Sequence, residues 1–516
     1  MSDLSRVDGL VVAVAGMGPM GRGIARVFDR AGAKVIVSDL DVDLAEQGLA
    51  QIRAEADKDG EVCSVQAATL RDSLEAADLF IEAIVENMAA KERLLAEVRD
   101  AGRPDLIVAS NTSSLSIGEM GGAFGDPGRV LGLHFFNPPT RMRLVEVIVG
   151  GATRPDVVER ALSIVKAVGK TAVACTDSPN FVVNRVCRPL YYEAQLLTVE
   201  GVEAAVVDAG AREGLGHRMG PLELLDFTGL QTHLASSETA LREFGDPRYR
   251  PIPKVRGLVR SGATGRAAGR GFYDHRAEDP RAARSRVVRE PVTPSAPGSP
   301  ETVRVLGPDA ASLAGHPSVA TVMADGTSVD PSVGTVVYSC LDAPSAADLD
   351  ELGALARRPE VAVFVDSSDP GWARVLPDNV GWVRLHRWRE ALFAEVVEDE
   401  VAGVRRHPGT DRLLDVVGAK AIRVPALPGL VVDRLAHCLA NEAFAVLEEG
   451  TATADDIDTA LRLAMNHPSG PIEYVETVGI GQVHTSLRAM LSAFGDPRYR
   501  PTQLMRRRVI GLGRAG

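Results

Sequence analysis

The sequence predicts an α/β sheet domain followed by an all-α domain, with the same pair repeated in weakened form, and three observations carry that expectation. Between residues 10 and 150, short apolar runs alternate with longer amphipathic stretches, the pattern of a parallel sheet covered by helices. From Pro179 to about Gly262 the alternation gives way to long apolar helices. Finally, Phe244-Gly245-Asp246-Pro247-Arg248-Tyr249-Arg250-Pro251 recurs letter for letter at Phe494 to Pro501. Chance does not reproduce such a run, so the helical domain is duplicated.

The expected strands are Leu10–Ala15, Lys34–Asp39, Leu79–Ala83, Leu106–Ser110, Val130–Phe135 and Leu144–Val149, with Val62–Ala67 a weaker candidate. The change to helices places a domain boundary near Thr176–Pro179. Between Asp279 and Pro300, Pro280, Pro291, Pro294, Pro297 and Pro300 sit among Arg, Ser, Thr and Gly, a linker composition. Strand-like runs return at Val303–Leu306, Gly334–Ser339 and Val361–Asp366, and helices from about Leu430. The repeat extends upstream: Gly220-Pro221-Leu222-Glu223 is matched by Gly470-Pro471-Ile472-Glu473, and Val183-Asn184-Arg185 by Val432-Asp433-Arg434. The expected domains are therefore 1–177 (α/β), 178–278 (helical), a linker at 279–300, 301–425 (degenerate α/β) and 426–516 (helical).

Composition narrows the function classes. A net charge of −12 gives the molecule no overall electrostatic case for nucleic acid or an anionic membrane. No apolar run reaches the roughly 18 residues that span a bilayer, and the start lacks the basic-then-apolar layout of a secretory signal, so a cytoplasmic protein is expected. Cys63, Cys175, Cys187, Cys340 and Cys438 are scattered, with no C-x-x-C pair to suggest zinc or a redox couple.

Two motifs carry chemistry. In the first, Val11–Ala15 feeds Gly16-Met17-Gly18-Pro19-Met20-Gly21, then a helix, then a second strand ending in Asp39 about 20 residues on. A lone G-x-G-x-x-G is a weak signal that any tight turn can imitate. Preceded by a strand and followed by a helix and an acidic strand end, it reads as a Rossmann-type dinucleotide site. Gly16 permits the turn, Gly18 admits a pyrophosphate to backbone N–H groups, Gly21 lets the helix pack closely, and Asp39 accepts from a ribose. In the second motif, His134 lies at the carboxyl end of an expected strand, within His134-Phe135-Phe136-Asn137-Pro138-Pro139, and Glu146 follows on the next strand. An isolated histidine is more often a hydrogen-bonded core residue. Beside a cofactor motif it is a candidate general base, with Glu146 fixing its tautomer.

Residues 10 to about 275 resemble the 3-hydroxyacyl-CoA dehydrogenase family. The resemblance rests on the glycine-rich run from Ala15 to Ala25, Glu82-Ala83-Ile84-Val85-Glu86-Asn87, Ser110 to Leu115, Gly132 to Pro139 and Met219 to Asp226. The duplicated helical domain resembles the long bacterial members, including those that oxidise 3-hydroxyadipyl-CoA in phenylacetate degradation. The resemblance implies NAD as cofactor and His134 as the base that takes the hydroxyl proton while hydride leaves C3. It implies Glu146 as the base's partner, Ser113, Asn137 and Asn184 around the substrate oxygen, and Met20, Glu86 and Lys91 at the cofactor and the rim. Apart from the resemblance, Ser113 reads as a helix cap, Asn184 as a helix-surface amide and Lys91 as a solvated charge. It further implies a small-molecule partner, an acyl-CoA, and helical copies that pair within one chain as an intramolecular pseudo-dimer.

Two departures stand out. Family members usually carry a long basic helical hairpin that grips coenzyme A, whereas only Asp41 to Asp78 fills that span here, with Arg53, Lys58 and Arg71 as its few cations. Asn180 stands where the family usually has glycine, which is expected to alter the turn before Asn184. In the second half, Val303-Arg304-Val305-Leu306-Gly307-Pro308 has no further glycines in register, and Asp433 replaces the asparagine. His386 and Glu395 lie near the positions of His134 and Glu146, but Arg387-Trp388-Arg389 replaces the Phe-Phe-Asn segment. One catalytic site per chain is expected. The competing readings are a dehydrogenase of a free 3-hydroxy acid, such as a sugar acid or carnitine-like compound, and a non-catalytic NAD-binding protein. The intact His134, Glu146, Ser113, Asn137 and Asn184 weigh against the latter.

Overall fold

The computed structural model describes residues 7, 9–292, 303–309, 319–323, 335–340, 343–358, 361–388 and 391–515. The chain divides into two compact units, one of residues 1–185 and 446–470, the other of residues 186–445 and 471–516.

The first unit is built on an eight-stranded sheet of order β3-β2-β1-β4-β5-β6-β7-β8. Its strands are β1 (Val11–Ala15), β2 (Lys34–Ser38), β3 (Gln66–Ala67), β4 (Leu79–Glu82), β5 (Ile107–Ser110), β6 (Val130–Phe135), β7 (Leu144–Val149) and β8 (Thr171–Thr176). The apolar runs that predicted them are buried on both faces, as strands covered by helices must be. The order turns at β1, which pairs in parallel with β2 on one side and β4 on the other. This opens a crevice at the carboxyl ends of the strands.

Two features correct the expectation of a uniformly parallel sheet. β7 runs antiparallel to β6, because residues 136–143 make a short return where a parallel partner would need a crossover helix. β8, missed in the sequence, pairs in parallel with β7 and ends where the helices begin. Its residues alternate only weakly in burial, so periodicity hid it. The candidate Val62–Ala67 contracts to the two residues of β3.

The second unit holds a seven-stranded sheet of order β10-β9-β11-β12-β13-β14-β15. Its strands are β9 (Val303–Leu306), β10 (Val319–Met323), β11 (Thr335–Ser339), β12 (Ala362–Asp366), β13 (Val380–Trp388), β14 (Ala391–Val397) and β15 (Lys420–Val424). This is the order of the first sheet without β3, and β13 and β14 again form the antiparallel pair. Gly307 at the end of β9 has φ +98°, matching Gly16 at the end of β1 with φ +94°.

The expected linker is partly structured. Asp279 accepts from the Arg281 amide and Pro280 occupies the first helical position, so residues Pro280–Val287 form a helix. Arg289 then exchanges backbone hydrogen bonds with Ala421 on β15. Residues 293–300 of that stretch lie outside the described residues.

The helices of the second unit are joined by reciprocal polar contacts between the repeated segments. Buried Arg434 donates to Glu193 at 2.7 Å and, through both terminal nitrogens, to Glu200 at 2.6 and 2.7 Å. Tyr499 donates to Glu193 at 2.8 Å, and its counterpart Tyr249 donates to Glu442 at 2.5 Å. Arg498 donates to the carbonyls of Arg248 and Arg250. Among the described residues no helix is long and apolar enough to cross a membrane. None of the five cysteines is in a disulfide.

Arg434 is fully buried with Glu193, so deleting it strands the Glu193 carboxylate in a dry interior. Arg434→Ala should lower stability by about 3–5 kcal/mol, the range for breaking a buried pair on one side. Urea unfolding measures it; a loss near the surface-pair value, below about 1 kcal/mol, would show the cluster to be solvated.

Candidate active site

The glycine-rich loop joins β1 to the helix α1 (Pro19–Arg30). A Cβ on Gly16 would lie 2.8 Å from the Ala83 carbonyl oxygen, and one on Gly21 would lie 1.8 Å from that of Gly16. Neither position tolerates a side chain. At Gly18, the residue preceding α1, a Cβ would meet nothing within 4 Å. The first turn of α1 has no side-chain cap and no carboxylate, so its N–H groups and positive dipole end remain available to an anion. At the end of β2, Asp39 accepts from the Met17 amide at 2.7 Å and the Leu40 amide at 2.8 Å. This ties the ribose-binding candidate to the loop it must serve. Gly16, Gly18, Gly21 and Asp39 therefore fit the pyrophosphate and adenosine ribose of a dinucleotide, and Met20 lies in the first turn of α1. The neighbouring Leu40 is 94% exposed, an apolar surface at the crevice.

The catalytic candidates come from β6 and β7. His134 and Glu146 are direct partners across the antiparallel pair, which sequence distance alone conceals. His134 Nδ1 lies 2.7 Å from Glu146 Oε2, with the histidine 7% exposed and the glutamate fully buried. A carboxylate only accepts, so Nδ1 carries the proton and Nε2 presents its lone pair. The other oxygen, Oε1, accepts from the amides of Val182 and Val183 at 3.2 and 2.9 Å. The rings of Phe136 and Phe181 flank the imidazole at centroid distances of 4.5 and 6.0 Å.

Glu86 gathers the loop after β5. It accepts from Thr112 Oγ1 at 2.7 Å, from the Ser113 amide at 2.9 Å and from Ser113 Oγ at 3.1 Å. Burial opposes its ionisation, but the Lys91 ammonium and these hydrogen bonds outweigh it and hold the carboxyl below its ordinary range. Ser113 is thus a member of this network and not a helix cap. Asn184, in the first turn of the helix Val183–Val199, reaches the same loop and donates to the Ser113 carbonyl at 3.4 Å. Asn137 follows β6 in an exposed position. Lys91 is neither solvated nor at the rim. It is 1% exposed, donates to both oxygens of Glu82 at 2.7 and 2.8 Å, and lies 3.4 Å from Glu86. Glu82, which also accepts from Ser110, figures in the sequence only as part of a motif, without a role. Its signal was a carboxylate closing an otherwise apolar strand.

The turn before Asn184 departs from its expectation. Asn180 takes φ +64° and Phe181 φ +53°. Asparagine is among the few non-glycine residues that visit this region readily, so the turn survives without glycine. In the repeat, the corresponding Gly429 and Leu430 take φ +74° and +46°.

The span expected to lack a long hairpin contains the helix Val42–Asp59, ended by Gly60, and a short helix Leu70–Leu74. Arg53, Lys58 and Arg71 are all exposed.

The second sheet holds a different arrangement. His386 Nε2 lies 2.7 Å from Glu395, yet the register pairs Glu395 with Arg384 and His386 with Phe393. Arg384 donates to Asp433 at 2.9 Å and to Asp366 at 3.2 Å. Burial alone would raise Asp433, but Arg384 foremost, with His437 and His386, holds it well below the usual carboxylate range. A closed ion cluster occupies the position where the first sheet keeps an open histidine.

Comparison with known proteins agrees with this geometry. The family model "3-hydroxyacyl-CoA dehydrogenase, NAD binding domain" matches residues 11–178. The "3-hydroxyacyl-CoA dehydrogenase, C-terminal domain" model matches residues 181–275 and again 429–516. The chain is similar to the 3-hydroxyadipyl-CoA dehydrogenase of Escherichia coli K12, 31% identical with 97% of each chain covered. It is also similar to a probable 3-hydroxybutyryl-CoA dehydrogenase of Bacillus subtilis 168, 39% identical over 51% of this chain and 96% of the other. A crystal structure described as 3-hydroxybutyryl-CoA dehydrogenase from Escherichia coli K12 superposes with a TM-score of 0.75 at 29% identity, covering 98% of both chains. With both family domains matched, and the helical one matched twice, the chain belongs to the 3-hydroxyacyl-CoA dehydrogenase family.

Proposed function

We propose that the chain oxidises the 3-hydroxyl of a 3-hydroxyacyl-CoA thioester, using NAD and His134 as general base. The observation that carries this reading is the buried His134–Glu146 pair at 2.7 Å, in the same unit as the glycine-rich loop. When bound, NAD supplies the acceptor for the hydride that leaves C3. The protein's part is the proton. His134 Nε2 takes it from the hydroxyl as the carbonyl forms, and the imidazolium is stabilised by Glu146 through Nδ1–H. Glu146 cannot swing away, because the amides of Val182 and Val183 hold its other oxygen. Ser113, Asn137 and Asn184 are the neutral groups proposed to orient and polarise the substrate oxygen, which they can do without competing for its proton. Glu86, with Lys91 buried beneath it, shapes the loop that carries Ser113.

The short span from Asp41 to Asp78, with only exposed cations, favours a second reading: a free 3-hydroxy acid in place of the thioester. Nicotinamide absorbance with a panel of CoA thioesters and free hydroxy acids separates the two.

The helical copies are further proposed to form a pseudo-dimer within one chain. The reciprocal contacts of Arg434, Tyr499 and Tyr249 support it, since an isologous interface uses each contact twice. Loss of the glycines after Gly307 supports a single dinucleotide site.

Four outcomes are expected. His134→Gln should lower turnover roughly 10²–10⁴-fold with NAD affinity nearly unchanged, measured by steady-state kinetics and calorimetry; wild-type turnover would overturn the mechanism. NAD should be preferred to NADP, because a 2′-phosphate would meet Asp39 and Asp41 with no adjacent arginine; equal kcat/KM for the two would refute this. Calorimetry should find one NAD per chain, and two would overturn the single site; a fragment ending near Pro300 should dimerise or aggregate, and a stable monomeric fragment would count against the pseudo-dimer.

A further inference from the structure

The catalytic sheet does not form a compact unit from the first half of the sequence alone. Residues 446–470, which belong to the second helical copy, are part of the same unit. Three contacts attach them beside the active site. Arg185 Nη1 and Nη2 donate to Glu449 Oε2 and Oε1 at 2.6 and 2.7 Å, a two-pronged charge-assisted pair. The Thr176 amide at the end of β8 donates to the Thr451 carbonyl at 3.0 Å. The helix Ala454–Met465 packs against β7 and β8, and β7 is the strand that carries Glu146.

Arg185 follows Asn184 directly and is fully buried, although Glu449 is 46% exposed. It also donates to Ser178 Oγ at 3.4 Å. The turn from Ser178 to Arg185 is therefore gripped from two sides. From the sheet, Glu146 holds the amides of Val182 and Val183. From the second copy, Glu449 holds Arg185. Within that turn, Phe181 at φ +53° occupies left-handed backbone that a bulky side chain adopts only under constraint.

We propose that Glu449 is a positioning residue for the active site: by fixing Arg185 it sets the turn whose amides orient Glu146, and hence the base His134. This rests on the reading of His134 and Glu146 as the base and its partner. It assigns the second half, whose own sheet has lost the chemistry, a direct part in the chemistry of the first.

The duplication supplies a matched control. Arg434 occupies the repeat position of Arg185, and Glu200 grips it in the same two-pronged manner at 2.6 and 2.7 Å. The turn preceding Arg434 feeds Glu395, which accepts from Val431 at 2.7 Å in the sheet whose Arg384, Asp366 and Asp433 form a closed cluster. Breaking the Glu200 pair removes the same kind of contact but disturbs no proposed base. A purely structural role for both glutamates predicts matching effects; positioning predicts different ones.

The test compares Glu449→Ala with Glu200→Ala in the full-length chain, with 3-hydroxybutyryl-CoA and NAD as probes. Glu449→Ala should lower kcat by roughly tenfold, within the range that small misplacements of catalytic groups cost, with KM for NAD little changed. A loosened Glu146 orients the imidazole less well, so the loss should fall on kcat and not on KM. Glu200→Ala should leave both unchanged. Hydrogen exchange provides a readout that needs no turnover: the amides of Val182 and Val183 should exchange faster in Glu449→Ala than in wild type, and at the wild-type rate in Glu200→Ala. Equal kinetic effects of the two variants, or unchanged exchange at Val182 and Val183, would overturn the proposal. Exchange decides it even if the chemistry differs from that proposed, which His134→Gln reveals separately. Should Glu449→Ala lose its fold, Glu449→Gln against Glu200→Gln gives the same comparison with one acceptor retained.

Discussion

A single buried carboxylate joins the parts of the first unit. Glu146 has no solvent exposure, yet it accepts from the His134 imidazole and from two consecutive amides at the start of the helical region. A carboxylate in a dry interior is tolerated only with its lone pairs filled, so the strand, the histidine and the turn are each obliged to stay in place. The antiparallel return of β7 makes this possible, because it sets Glu146 opposite His134 and not a strand away.

The second sheet shows which part of this arrangement is architectural. Glu395 still accepts from Val431 at the corresponding turn, and a histidine still reaches it. What changes is the neighbourhood. In the first unit the cation is Lys91, serving Glu82, with Ser110 donating from the next strand. In the second, serine and carboxylate exchange strands as Ser339 and Asp366, and Arg384 reaches across to Asp433. The carboxylate that organises the turn was kept while the open face of the imidazole was replaced by an ion cluster. The contacts that hold the turn and the contacts that surround the imidazole thus belong to different residues within a few ångströms.

Much of the first unit was legible because its signals are local. Apolar runs bounded by glycine and acidic residues marked β1, β2, β4, β5, β6 and β7 nearly to the residue. The glycine-rich loop and the eight-residue repeat needed only one-dimensional comparison. What was hidden depends on three dimensions. β8 lacks clear alternation because it is covered unevenly, and the direction of β7 follows from the loop before it. The burial of Lys91 follows from Glu82 on a neighbouring strand, a pairing that no helical spacing reveals. The partnership of Arg185 with Glu449 links residues from opposite halves of the chain. Asn180 was misjudged for a simpler reason: a position occupied by glycine in relatives needs a left-handed backbone, which asparagine also supplies.

The two arginine–glutamate clamps have a consequence for how this protein can change. In an assembly of two identical chains, a twofold axis duplicates every substitution, so a change that suits one protomer's interface is imposed on the other. Joining the copies in one polypeptide removes that obligation. Glu449 and Glu200 can diverge separately, the stoichiometry of the halves is fixed at any concentration, and one half can specialise as scaffold while the other keeps its reactive groups. Asp433 stands at the repeat position of Asn184, with an arginine–glutamate clamp beside each: the clamp is kept in both copies, while the side chain next to it has diverged.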